Sequence, residues 1–428
     1  MPDYLFLMES RLSPPQWQVI LRMRQAAQAS AMNLYLVGGA VRDLIGGYPI
    51  DDFDFAVDGK ALKLLRPLER DGASILSKDK KLQEAELQFP SGVLASLSMT
   101  RSETFLKPGA PPVIAPASIL DDLKRRDFSI NALAISLNPQ SLGLLLDPTN
   151  GAADIQGRRI HTLRNTSFLE DPVRLYRAVR LLARLQFTLE SKTEVQFQQA
   201  LESDLFESSP DPGVSREFRH LAYERDPVAI LKAFDKHGLL EAFSPRLKKK
   251  GIDWQLFARA EKVRDTLAES GIFVRSFSIF LHLLSHKLSP GDTADLAKRL
   301  NLRKPELTAL CKLHDEAKHL AKELKGKSVS TPIKLYQRLS AVSAELLLMV
   351  LLESSDRTVH SRIKTYLQKQ IPLHSQLPVQ EIIDLGVAAN SPRFQKIQQE
   401  YFLASLQGKL RGRVEHNRFL KKMVQENK

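Results

Sequence analysis

At 428 residues the chain is long enough for roughly two to four domains with cores of their own. A single cysteine, Cys311, excludes an internal disulfide framework and fits a reducing compartment such as the cytoplasm. A formal charge of +13 favours a polyanionic partner such as RNA over a basic surface that binds nothing. The N-terminal MPDYLFLMESRL has an early acid and too short an apolar run for a signal peptide. Val342–Leu352 is too short to span a membrane and is interrupted by Glu345, so no membrane partner is expected.

Ser13–Met32 has helical spacing, with Pro14 and Pro15 at its start. Leu34–Val37 reads as a strand that Gly38-Gly39 breaks. Glycine there lets backbone N–H groups approach a phosphate closely, and Arg42 lies about one helical turn further on. Phe53–Val57 reads as a second strand, with Asp52 and Asp54 on one face and Phe53 and Phe55 on the other. Two carboxylates side by side at a strand edge repel each other unless a cation sits between them. Oxygen ligands of this kind suit Mg²⁺, which can also serve a nucleotide's phosphates. Taken alone, these pieces also read as a plain turn and a solvated strand end.

Lys60–Arg70 reads as a helix closed by Asp71-Gly72. Glu84–Phe89 and Val93–Met99 read as strands of a hairpin turning at Pro90-Ser91-Gly92. Thr104–Ser118, rich in proline and without periodicity, reads as a loop. Ile119–Ile135 reads as a helix carrying DDLKRRDFSINALAI, and Leu142–Leu146 as a last short strand ended by Asp147-Pro148. From Phe168 onward the pattern is helical almost throughout, with breaks at Ser208–Gly213, Gly238, Ser289–Gly291 and Ser328–Pro332. The expected fold class is α+β: a small mixed α/β head followed by an all-helical extension.

The order G-G-x-V-R-D then D-x-D closely resembles the head of the class II tRNA nucleotidyltransferase and poly(A) polymerase family. Arg125-Arg126-Asp127-Phe128 with Asn131 resembles that family's second signature, RRDFxxNA, and Glu170-Asp171-Pro172-Val173-Arg174 resembles its third. Asp147-Pro148-Thr149-Asn150-Gly151, with Asp154, is similar to the family's DPxxGxxD turn and reads as mainly structural. Relatives usually show arginine where His161 stands. The likeness covers residues 34–187 well and 209–243 loosely.

What the resemblance implies is specific. Residues 1–165 would form a nucleotidyltransferase head. Residues 166–245 would form a helical neck and body for nucleotide selection and RNA binding, and 246–428 a helical body and tail for RNA binding. Asp52 and Asp54 would be catalytic and hold two Mg²⁺. Gly38, Gly39, Arg42, Arg126, Asp127 and Asn131, with Arg177 from the next helix, would bind the nucleotide. Asp171 and Arg174 sit three apart and so face the same way on a helix. A carboxylate accepts from an exocyclic amino group while a guanidinium donates to a ring nitrogen or carbonyl, a pattern that fits C and A. Uracil fails both contacts, and unpaired buried polar groups make such rejection strong. The plainer reading of Asp171 before Pro172 is a helix N-cap. Arg180 and Arg184 continue the basic stripe.

The implied partners are the tRNA 3′ end, CTP and ATP. In the implied reaction the RNA 3′-hydroxyl attacks the α-phosphate and CCA is built. The same signatures serve enzymes that add only CC, only A or a poly(A) tail, and a non-catalytic RNA-binding relative is a further alternative.

Two departures from the family stand out. Relatives usually carry a third acid five residues before the arginine of an R-x-E motif, here Arg101-Ser102-Glu103, and that position is Ser96. With a three-residue hairpin loop Glu86 falls opposite Ser96, where it is the candidate substitute metal ligand. Near Ser215-Arg216-Glu217 the family often shows Glu-Arg, whereas this chain has Glu217-Phe218. His282, His286, His314-Asp315 and His319 invite an HD-phosphohydrolase reading. Such a site needs His, HD and a later Asp converging in space; the set is incomplete and lies in ordinary amphipathic helix, so solvated or core histidines are expected instead. Lys248–Lys250 and Lys409–Lys422 are basic clusters that suit either phosphate contact or plain solvation.

Overall fold

The computed structural model describes residues 4–104, 113–203, 212–274, 276–302, 304–389, 391–410 and 412–426. Two compact units are present, Met1–Ala242 and Phe243–Lys428.

In the first unit β1 (Leu34–Val37) is buried at all four positions, as an apolar run in the middle of a sheet must be. β2 (Asp52–Val57) runs antiparallel to it with Asp54 opposite Val37. Strand alternation turns Phe53 and Phe55 fully into the core and Asp52 and Asp54 to the opposite face. β5 (Leu94–Met99) lies parallel to β2 on the other side and sets Ser96 beside Asp54. Outside it come β4 (Glu84–Gln88) and β3 (Ser74–Asp79). Beyond β1 lie β8 (Ala134–Ser136) and β9 (Leu145–Leu146), which completes a seven-stranded mixed sheet ordered β3-β4-β5-β2-β1-β8-β9.

The hairpin takes the expected register. Phe89 N–H donates to Val93 O at 2.9 Å, and Glu86 pairs with Ser96. β3 was not foreseen, because its SILSKD is exposed at five of six positions and carries no alternation of burial. The Pro-rich stretch expected as a loop starts and ends in a ribbon, β6 (Arg101–Thr104) against β7 (Val113–Pro116). Residues 105–112 of it, and 208–211 of the expected break at Ser208–Gly213, lie outside the described residues.

Of the first helices, α1 (Tyr4–Arg11) was not foreseen. α2 (Pro14–Ala29) begins as expected, with Gln16 Oε1 accepting from the Ser13 N–H at 2.9 Å. α3 (Gly39–Gly46) follows β1, and α4 (Leu65–Arg70) follows a 3-10 turn over Ala61–Leu64.

The single helix expected over Ile119–Ile135 does not form. α5 (Ile119–Lys124) stops after six residues. Asp127 Oδ1 accepts from the next residue's N–H, Phe128 N at 2.8 Å, and Phe128 is extended, with φ −129 and ψ 148. That local hydrogen bond competes with the helix. Ala134–Ser136 then finds its partners in β1 instead.

Leu142–Leu146 is not the last strand either. α6 (Gly151–Gln156) is followed by β10 (Arg159–Ile160), which pairs in parallel with β11 (Thr188–Leu189). Between them stand α7 (Ser167–Glu170) and α8 (Val173–Leu185). α9 (Ser191–Leu201), α10 (Pro212–His220) and α11 (Pro227–Lys236) close the unit. α8 buries Leu175, Tyr176, Ala178, Val179, Leu181 and Leu185, which leaves Arg177, Arg180 and Arg184 on the opposite stripe.

The second unit is helical from Pro245 to Glu426. Ser289 and Thr331 cap the helices Pro290–Arg299 and Pro332–Ser340, at the breaks the sequence marked. Among the described residues no single helix is long and apolar enough to cross a membrane. The apolar pair Pro332–Ser340 and Ala344–Glu353 is bent by 114°, and its Leu335, Leu339, Leu347, Leu348, Met349 and Val350 are buried.

Candidate active site

The Gly38 turn shapes the centre of the site. Its φ of +67° suits glycine, and a Cβ there would lie 2.9 Å from Arg126 Nη1 and 3.5 Å from Asp54 Oδ2. The turn therefore brings a guanidinium and a carboxylate close to one backbone position. Gly38 N–H itself donates to Leu133 O at 3.1 Å. The phosphate donors expected of Gly38-Gly39 are accordingly the first-turn N–H groups of α3, which have no intrahelical acceptor.

Asp52 and Asp54 leave the same face of β2. Partial burial, then the charge of Asp54 beside it, push the Asp52 carboxyl up to about 6, with Arg184 opposing the rise. Ser96 Oγ donates to Asp54 Oδ1 at 2.6 Å, so the residue in place of the family's third acid orients the second one. Glu86, the candidate substitute ligand, stands apart from them. It is exposed and stands two strands from β2, about 10 Å at ordinary strand spacing. Among the described residues no group of three His, Cys, Asp or Glu side chains is arranged to hold a metal. Glu86→Gln is therefore expected to keep activity within about twofold of wild type. A tenfold or greater loss of turnover would restore Glu86 as a ligand.

Arg126 is held by Asp122, whose Oδ2 accepts from its Nη2 at 2.9 Å and its Nε at 3.2 Å. Asp122 Oδ1 takes Arg125 Nη2 at 2.7 Å, and the two guanidinium groups hold its carboxyl below the usual range despite burial. Arg125 in turn reaches Glu103 at 2.8 Å, and Glu103 takes Arg101 Nε at 2.9 Å. The R-x-E motif thus supports Arg126. Sequence reading gave Asp122 no role, although its i,i+3 and i,i+4 spacing to Arg125 and Arg126 was a usable signal.

Arg42, Asp127, Asn131 and Arg177, expected to meet the nucleotide, are tied to one another. Arg42 is buried and donates to Asn131 Oδ1 at 2.7 Å and to both oxygens of Asp43 at 2.9 and 3.0 Å. Asn131 Nδ2 donates to Asp127 Oδ1 at 3.1 Å, and Arg177 Nη1 donates to Asp127 Oδ2 at 2.8 Å. Arg177 outweighs burial and brings the Asp127 carboxyl down to about 2. Arg177 also donates twice to Glu217 Oε1, at 2.9 and 2.7 Å. Glu217, Glu224 and Asp43 are partners the sequence reading missed. Only the tertiary fold brings Glu217 and Glu224 to α8.

At the start of α8, Asp171 Oδ1 accepts from Val173 N–H at 3.0 Å, which is the capping role. Arg174 Nε lies 3.7 Å from Asp171 Oδ2, so the pair also shares a face as expected. Arg174 is buried and donates to Ser167 Oγ at 2.6 Å. The DPxxGxxD turn is structural: Asp147 accepts from Gly151 and Ala152 N–H at 2.7 and 3.0 Å. Asp154 accepts from Ser129 Oγ at 2.5 Å, with His161 Nδ1 at 3.6 Å.

In the second unit His314 Nδ1 and His282 Nε2 lie 2.7 and 3.3 Å from the same Glu353 oxygen, while Asp315 is exposed. This is an ordinary hydrogen-bonded cluster without the HD arrangement. Of the basic clusters, Lys421 and Lys422 are exposed, and the side chains of residues 249 and 250 lie outside the described ones.

Residues 34–161 match the poly(A) polymerase head domain family. An A-adding tRNA nucleotidyltransferase of Halalkalibacterium halodurans is 36% identical over 226 residues. Residues 34–161 thus carry a head domain of the poly(A) polymerase type. A second relative, an A-adding tRNA nucleotidyltransferase of Geobacter sulfurreducens, is 25% identical over 412 residues, 95% of this chain. The chain spans about half the length of these curated relatives: the two matches cover 53% and 47% of them. A solved CCA-adding enzyme in its apo form has a similar fold, with a TM-score of 0.56 at 24% identity over 99% of both chains.

Proposed function

We propose that the chain is a template-independent RNA nucleotidyltransferase acting at the 3′ end of tRNA. The terminal 3′-hydroxyl attacks the α-phosphate of ATP or CTP, a phosphodiester forms and pyrophosphate leaves. The observation that carries this reading is the Asp52–Asp54 pair on one strand face, with Asp54 and Arg126 both beside the Gly38 turn. The all-oxygen donor set and the raised Asp52 carboxyl, eased by a neighbouring cation, fit Mg²⁺. Bound there, the cation lowers the pKa of the attacking hydroxyl and neutralises triphosphate charge.

The protein's own groups supply the rest of the proposal. Ser96 orients Asp54. The α3 start and Arg126 face the phosphates. Asp171 and Arg174 read the base edge. Residues 1–165 act as the catalytic head, 166–245 select the nucleotide, and 246–428 bind RNA, all in the cytoplasm. Pyrophosphate release from ATP or CTP that depends on a tRNA lacking its 3′ terminus tests the reading. Release of none, with folded protein and Mg²⁺ present, would remove it. A second reading, addition of A alone, is favoured by the names of both curated relatives.

Arg174→Ala is expected to lower the preference for ATP and CTP over UTP and GTP by roughly tenfold, the cost of one unpaired polar contact. Competition between the four nucleotides in a single reaction measures it. An unchanged preference with reduced stability would leave Arg174 a packing residue.

A further inference from the structure

The arginine stripe of α8 is fully spent inside the protein, and its ion pairs close on themselves. From Glu217 the chain of contacts runs through Arg177 to Asp127, by Asn131 to Arg42, and on to Asp43. Asp43 Oδ2 accepts from Arg184 Nη2 at 2.9 Å, and Arg184 Nε lies 3.7 Å from Glu224 Oε2. Glu224 Oε1 accepts from Arg180 Nη1 at 2.7 Å, and Arg180 Nε returns to Glu217 Oε2 at 3.0 Å. Four arginines meet four carboxylates, so the circuit is neutral and leaves no surplus cation for a triphosphate.

Its geometry decides what it grips. Arg177, Arg180 and Arg184 lie on one stripe of α8, and Arg174 begins that stripe one turn earlier. One arm leaves α8 at Arg177 for the RRDF segment, and the other leaves at Arg184 for Asp43. Asp43 lies on α3, the helix that starts at the Gly38 turn. The two arms meet at Arg42. The base-reading end of α8 and the phosphate turn are thereby held in one register by paired charges whose carboxylates are buried, an arrangement that fixes orientation more than it adds stability.

We infer that Asp43 and Arg184 are positioning residues for nucleotide choice: they close the circuit that seats α8 against the phosphate turn. This rests on the proposed base-reading role of Asp171 and Arg174. Neither residue touches the nucleotide in this scheme. Both act through the seating of Arg174.

The test is the binding of ATP, CTP, UTP and GTP, each by calorimetry without RNA, to the full chain. The proteins compared are wild type, Asp43→Asn, Glu224→Gln and the double variant. Each single change opens the circuit and is expected to reduce the ratio of ATP and CTP affinity to UTP affinity by about tenfold. The double variant is expected to lose little more, because a ring opened once is already open. Should Asp43→Asn fail to fold, Arg184→Met cuts the same link from a side chain that is 26% exposed. A lowered melting temperature with an unchanged affinity ratio would overturn the inference, as would strictly additive losses. Wild type that selects bases but never turns over would remove the reaction and leave the positioning role standing. Wild type that binds all four nucleotides equally would overturn it.

Discussion

Asp54→Ala is expected to reduce nucleotide addition by about a thousandfold or more, roughly 4 kcal/mol of barrier, with Asp52→Ala close behind. Asp54 is the oriented member of the pair, since Ser96 Oγ donates to it at 2.6 Å. Asp52 is the member whose carboxyl resists ionisation, at about 6. Divalent-cation affinity should therefore rise as pH passes upward through about 6, because the cation binds the ionised form. Neither change touches the helical second unit, so tRNA affinity by filter binding should stay within about twofold. Single-turnover extension of labelled tRNA measures the chemistry. Near wild-type rates in either variant would contradict the metal assignment.

Asp127→Ala is expected to be the most destabilising change at the site, by about 3 to 5 kcal/mol. It removes the acceptor for Arg177, Asn131 and the Phe128 N–H together, and leaves a guanidinium partly uncompensated. The sign with pH follows from the lowered carboxyl. Its folded value of about 2 lies below the unfolded value of 3.8, so its contribution is complete above about pH 4 and is lost as pH falls toward 2. Urea midpoints of wild type should fall across that window more than those of Asp127→Ala. Equal slopes for the two proteins would mean that Asp127 stabilises the fold without its charge.

Local rules made much of this site legible in the sequence. Period-two alternation gave β2 and its two aspartates, the Gly-Gly break gave the end of β1, and a three-residue loop set Glu86 opposite Ser96. The misreadings have equally physical causes. Residues 125–135 look helical by composition, yet Asp127 accepts its neighbour's N–H and β8 completes the sheet beside β1. β10 and β11 are two residues each and have no periodicity to detect. The role of Ser96 was hidden because a lost carboxylate and an added donor look alike until Asp54 is placed beside it. The partners of the α8 arginines, Glu217 and Glu224, lie 37 to 44 residues away, beyond any local pattern.

The central claim is that Asp52 and Asp54 direct nucleotide transfer to the 3′ end of tRNA. It is tested most directly by incubating the pure 428-residue chain with Mg²⁺ and tRNAs ending before CCA, after C and after CC. Each nucleotide is offered singly and the product ends are sequenced. The expected result is A added to the CC end, or C and then A added in order, no addition of U or G, and no product from Asp54→Ala. Unextended tRNA from wild type, or equal extension by wild type and Asp54→Ala, would contradict it.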